Sequence, residues 1–137
     1  MSKVVITQSI YDQALRLLAE AGIPYFYHQG DTWSPAELQE QIKEATAVVC
    51  LLADKITADV MDAAPNLKLI ANVAVGYDNI DIPAATQRGI LVTNTPDVLT
   101  ETTADLAFAL LLAIARRIPE ADAYMRAGQY TRFALFP

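Results

Sequence analysis

The 137-residue chain suits one compact domain; 53% of it is hydrophobic and 19% charged, which supplies a core and excludes a disordered chain. A formal net charge of -6, with Lys and Arg scattered apart from Arg116-Arg117, argues against binding a nucleic-acid backbone. The single cysteine, Cys50, rules out an internal disulfide framework, and the longest apolar run, Leu106 to Ala115, falls far short of the ~20 residues of a membrane span.

In chain order, two textures alternate. Lys3 to Thr7 is a short β-branched run, the signature of a buried strand. Tyr11 to Ala21 places Ala14, Leu15, Leu18 and Ala19 at helical spacing, and Gly22 stops the helix. Pro24 to His28 is aromatic-rich and reads as a second strand. Ser34-Pro35-Ala36-Glu37 is a helix start, with Ser as N-cap and Glu three residues later; the helix should run to about Glu44. Ala47 to Leu52 is a third strand, apolar on both faces. Thr57 caps a short helix through Ala64, and Leu67 to Val73 is a fourth strand. Asp81 caps a helix from Ile82 to Arg88 that Gly89 ends, and Ile90 to Thr93 is a fifth strand.

Strands without in/out alternation, joined by helices, predict a parallel sheet covered on both faces. The expected fold class is α/β: a flavodoxin-like, doubly wound five-stranded parallel sheet over residues 1–97. From Thr100 to Arg117 the pattern becomes one strong helix, capped by Thr100 or Thr102 and apolar all round from Leu106 to Ala115. Such a helix needs a partner from a second domain or a second subunit. Pro119 opens another helix to about Ala127, Gly128 ends it, and Gln129 to Pro137 is a tail carrying Tyr130, Phe133 and Phe136.

Ligands of open parallel sheets bind beyond the carboxyl ends of the strands. Among the loops there, Val73 to Asp81 holds Gly76, which permits backbone conformations closed to other residues and lets a ligand approach the main chain. Amides around Val75 and Gly76 suit an anion nest for a carboxylate; the same residues also suit a plain tight turn, shaped by Asp78-Asn79. The threonines from Thr95 to Thr103 suit helix capping, or contact with a phosphate or amide of a ligand. Cys50 reads as core, His28 as a surface group, and Trp33 as packing; one His and one Cys offer no metal site. A phosphoreceiver is disfavoured because Cys50-Leu51-Leu52 stands where an Asp belongs, and a flavodoxin because Thr7 to Tyr11 lacks glycine.

Two longer motifs carry a family resemblance. Val75-Gly76-Tyr77-Asp78-Asn79-Ile80-Asp81 resembles the substrate loop of D-2-hydroxyacid dehydrogenases. Thr93 to Ala107 resembles the segment that crosses into their cofactor domain, and Leu51 to Ile56 the loop after their third strand. The nearest branch is glyoxylate/hydroxypyruvate reductase, then phosphoglycerate dehydrogenase.

The resemblance implies that the Val75 and Gly76 amides hold the carboxylate of a 2-keto acid and that Leu52 and Ala53 line the pocket. It implies that Thr103 and Val75 approach an NAD or NADP cofactor. It also implies that residues 98–137 lead into a Rossmann domain and a homodimer interface through the Leu106 to Ala115 helix. None of the five glycines forms the Gly-x-Gly-x-x-Gly turn of that domain. The expectation is therefore an amino-terminal fragment of a cytoplasmic NAD(P)-dependent enzyme, without catalytic residues or a metal of its own. The alternative is a free-standing small-acid-binding or dimerisation module.

Overall fold

A computed structural model describes residues 3–133, and Phe136 of the aromatic tail lies outside them. Two compact units divide the chain at residue 97.

The first unit is a five-stranded sheet in the order β2-β1-β3-β4-β5. Its strands are β1 (Val4–Ile6), β2 (Tyr25–Tyr27), β3 (Ala47–Cys50), β4 (Leu69–Asn72) and β5 (Leu91–Thr93). Every pairing is parallel: Val5 lies beside Val48, Val48 beside Ile70 and Ile70 beside Val92. The connecting helices are α1 (Asp12–Glu20), α2 (Pro35–Ile42), α3 (Ala58–Asp62) and α4 (Ile82–Gln87).

The punctuation expected from the sequence sets these boundaries. Ser34 and Glu37 form a reciprocal capping box that opens α2. Thr57 Oγ1 accepts the Val60 amide at 3.4 Å, and Asp81 Oδ1 accepts the Ala84 amide at 2.9 Å. Gly22 and Gly89, at φ of 65° and 66°, take the left-handed turn that releases the chain after α1 and α4.

Helices lie on both faces of the sheet, as expected, but the core is uneven, with its main cluster on one face. Val5, Val48, Cys50 and Ile70 point into one cluster with Leu38 and Ile42 of α2, Val60 and Met61 of α3, and Ala84 and Ala85 of α4. Because β1 and β2 are joined in the opposite direction to all later strands, right-handed crossovers send α1 alone to the other face. Val4 and Ile6 are buried there, outside the main cluster. Over β3 to β5 that second face is only partly covered: Leu69 and Ala71 are half-buried, and Leu91 is 69% exposed. Burial along β3 and β4 therefore alternates, although β3 is apolar throughout and Asn72 is the one polar residue of β4.

The second unit holds α5 (Thr100–Ala115) and α6 (Ile118–Arg126). The expected threonine cap of α5 is absent. Leu99 is the N-cap residue and makes no side-chain cap bond. The Thr102 hydroxyl instead donates to the Leu99 carbonyl at 3.2 Å, turning back on the preceding turn rather than serving a free amide. Arg116 and Arg117 make the turn to α6, with Arg117 in the left-handed region at φ 52°. The apolar side chains of α5 point in every direction, and none is fully buried among the described residues; Phe108 is 65% and Ile114 77% exposed.

The uneven core predicts unequal costs on the two faces over β3 to β5. Ile70→Ala should lower the unfolding free energy by about 3 kcal/mol, and Leu91→Ala by less than about 0.5 kcal/mol, both measured by urea denaturation.

Candidate active site: amides without acceptors in the loop after β4

The loop after β4 is built on anchored carbonyls. The Thr95 amide donates to the Ala74 carbonyl at 2.8 Å. Asn94 Nδ2 donates to the Val75 carbonyl at 2.8 Å, and Asn72 Nδ2 to the Gly76 carbonyl at 2.9 Å. A trans peptide group is planar, so its N–H points opposite its C=O. Holding those three carbonyls therefore aims the amides of Val75, Gly76 and Tyr77 the other way. Among the described residues, none of these amides donates to a protein acceptor. Val75 and Gly76 are exposed, and Tyr77 is 55% exposed.

Gly76 contributes room rather than an unusual backbone angle. Its φ lies outside the left-handed region that Gly22, Gly89 and Gly128 occupy, which corrects the conformational argument made from sequence. A Cβ at this position would stand 3.1 Å from Asp78 Oδ1, a tight approach that the loop would have to relax.

Beneath the loop lies a polar cluster inside the otherwise apolar core. Thr7, Asp54, Asn72 and Asn79 are all buried. The carboxamides of Asn72 and Asn79 face each other at 3.1 and 3.3 Å. Asn79 Nδ2 also donates to the Leu51 and Asp54 carbonyls, both at 3.1 Å. Asp54 Oδ2 accepts from the Thr7 hydroxyl at 2.5 Å and from the Leu51 amide at 2.8 Å. Asp54 Oδ1 and Gln8 Nε2 are buried with no hydrogen-bond partner among the described residues. The cluster ties together the loops after β1, β3 and β4, and so holds Leu52 and Ala53, both exposed, at the same carboxyl edge as Val75 and Gly76.

Four of the expected site residues thus share that edge, and Thr103 lies on α5 in the second unit. Sequence reasoning missed Asn72, Asn94 and the structural part of Asp54. The available signal was a polar residue inside an apolar run, as Asn72 is between Ala71 and Val73. Asn79, read as a turn former, is also the link between two loops.

Cys50 donates from Sγ to Asn72 Oδ1 at 3.4 Å. Burial, reinforced by the nearby Asp54 carboxylate, pushes its thiol up to about 12, the reverse of what a nucleophile needs. His28 stacks on Trp33 with ring centroids 4.3 Å apart, beside Phe26, so these groups pack against one another around β2.

Residues 4–135 match the model of the D-isomer specific 2-hydroxyacid dehydrogenase family, catalytic domain. The chain belongs to this family. It is 46% identical over 136 residues to a glyoxylate reductase of Thermococcus litoralis, and 48% over 132 residues to one of Thermofilum pendens; each comparison covers 95% of this chain and 39% of the relative. The crystal structure of the TT0316 protein from Thermus thermophilus superposes with a TM-score of 0.87 at 43% identity, covering 98% of this chain and 43% of that one. An NADPH-dependent glyoxylate/hydroxypyruvate reductase from Sinorhizobium meliloti, in complex with NADP and malonate, gives a TM-score of 0.74 at 34% identity, covering 99% and 41%. The chain therefore spans about two fifths of the length of these relatives.

A buried neutral thiol reacts slowly. Cys50 in the folded chain should be alkylated by iodoacetamide at pH 8 at least about a hundredfold more slowly than in urea, as followed by intact-mass spectrometry.

Proposed function

We propose that this chain is the carboxylate-capturing part of an enzyme that reduces a small 2-keto acid, of the glyoxylate or hydroxypyruvate type, to the D-2-hydroxy acid. The observation that carries the reading is the set of outward-facing Val75 and Gly76 amides above a rigid polar base. Two adjacent N–H dipoles suit a carboxylate and need no reorganisation when it arrives. Leu52 and Ala53 supply apolar surface on the neighbouring loop, which favours a small organic acid over inorganic anions. The relatives add weight: their curated name is glyoxylate reductase, and the Sinorhizobium meliloti structure holds malonate.

Hydride transfer in this reading uses NADH or NADPH. The five glycines, Gly22, Gly30, Gly76, Gly89 and Gly128, provide no pyrophosphate turn, so this chain does not fit the main cofactor site. Val75 is the position assigned here to the cofactor's nicotinamide side, and Thr103 to its nicotinamide or phosphate. The chain alone binds the acid, orients it and excludes water from one wall, and is inactive. A cytoplasmic enzyme without a nucleic-acid or membrane partner belongs to the same reading; no helix among the described residues is long and apolar enough to cross a membrane.

Residues 98–137 serve in this reading as the crossover to the cofactor domain and as a dimer interface. Leu106, Phe108, Leu110, Leu111, Leu112 and Ile114 are each more than half exposed, an apolar surface of the kind that marks an association site. The chain should sediment as a dimer at micromolar concentration, and Leu111→Glu should return it to monomer; a wild-type monomer would remove the interface from the reading. For the site itself, titration with oxalate should shift the amide nuclear resonances of Val75 and Gly76 more than those of α2, and equal shifts throughout would refute carboxylate capture there.

A further inference from the structure

Asn94 stands just past β5, and its side chain reaches 19 residues back along the chain to the loop after β4. Its Nδ2 donates to the Val75 carbonyl at 2.8 Å. That carbonyl and the Gly76 N–H belong to one planar peptide group. The next peptide group, between Gly76 and Tyr77, is held by Asn72, whose side chain is itself locked against Asn79. The preceding one is held by the Thr95 backbone amide. Among the three anchors, Asn94 alone is a side chain outside the buried cluster, so it governs the amide direction without carrying the core.

We propose that Asn94 is a positioning residue of the carboxylate site: by drawing the Val75 carbonyl back toward β5, it presents the Gly76 amide to the acid. The inference rests on the carboxylate reading above. It assigns the direction of that amide to one side chain on a different strand end.

A glycine invites peptide-plane rotation because no Cβ restrains its φ and ψ. Without the Asn94 donor, the plane between Val75 and Gly76 samples orientations in which the amide points away from the ligand, and acid binding must select the productive one. The predicted loss is therefore in affinity, while the fold is kept.

The test uses the nitrogen-15-labelled chain and glycolate as probe. In the wild type, the Val75 and Gly76 amide resonances should move on titration. In Asn94→Ala, the Gly76 resonance should already be displaced without ligand, and glycolate affinity should fall roughly tenfold, the loss expected for one hydrogen bond to a charged group. The melting temperature should stay within about 3 °C of the wild type. Asn94→Ser keeps the test available if the alanine variant does not fold. Unchanged affinity in the folded variants overturns the positioning role while leaving carboxylate capture intact. So does an affinity loss that appears only together with a loss of thermal stability. Failure of the wild-type Val75 and Gly76 amides to respond overturns the carboxylate reading itself, and the positioning role with it.

Discussion

Peptide planarity is the constraint on which the candidate site depends. An amide cannot be aimed by itself, since it carries no side chain; it is aimed by holding the carbonyl at the other end of the same rigid plane. The loop after β4 has this arrangement at three successive peptide groups, with Thr95, Asn94 and Asn72 as the anchors. A row of amides so fixed has its orientation decided before any ligand arrives, which is the condition for a preorganised dipolar site.

The anchors would be useless on a soft base, and the buried polar cluster provides a stiff one. Asn79 bridges the loop after β3 to the loop after β4, and Asp54 extends the connection to Thr7 at the end of β1. Burying amides and a carboxylate is costly unless they are bonded, so the interlocked pair Asn72 and Asn79 also selects one arrangement of three loops over its alternatives. Cys50 belongs to this base by its contact with Asn72, and its raised thiol pKa follows from lying in the same dry interior.

Two surfaces are unfinished in the sense of ordinary burial. The α5 helix is apolar around its whole circumference, and its large side chains are exposed among the described residues. The face of the sheet away from α2, α3 and α4 is only partly covered over β3 to β5. Both are parts of a chain that spans about two fifths of the length of its relatives.

Much of the architecture was written locally. Ser34 with Glu37, Thr57 and Asp81 each satisfy amides within their own helix turn, so short-range pattern located three helix starts. The alternation of strand and helix determined a parallel sheet in the flavodoxin-like order. Local reading failed at the start of α5, where several threonines offered equivalent caps and the backbone used none of them. The extent of cover on each face was not legible either, because an apolar strand looks the same whether its second face meets a helix or solvent. At the site, sequence alone singled out Gly76 and its loop, but the reason it supplied, an unusual φ, was not the operative one. Only the tertiary structure decided that Asn94, Asn72 and Asn79 hold that loop, because a hydrogen bond between residues on different strand ends leaves no trace in spacing along the chain.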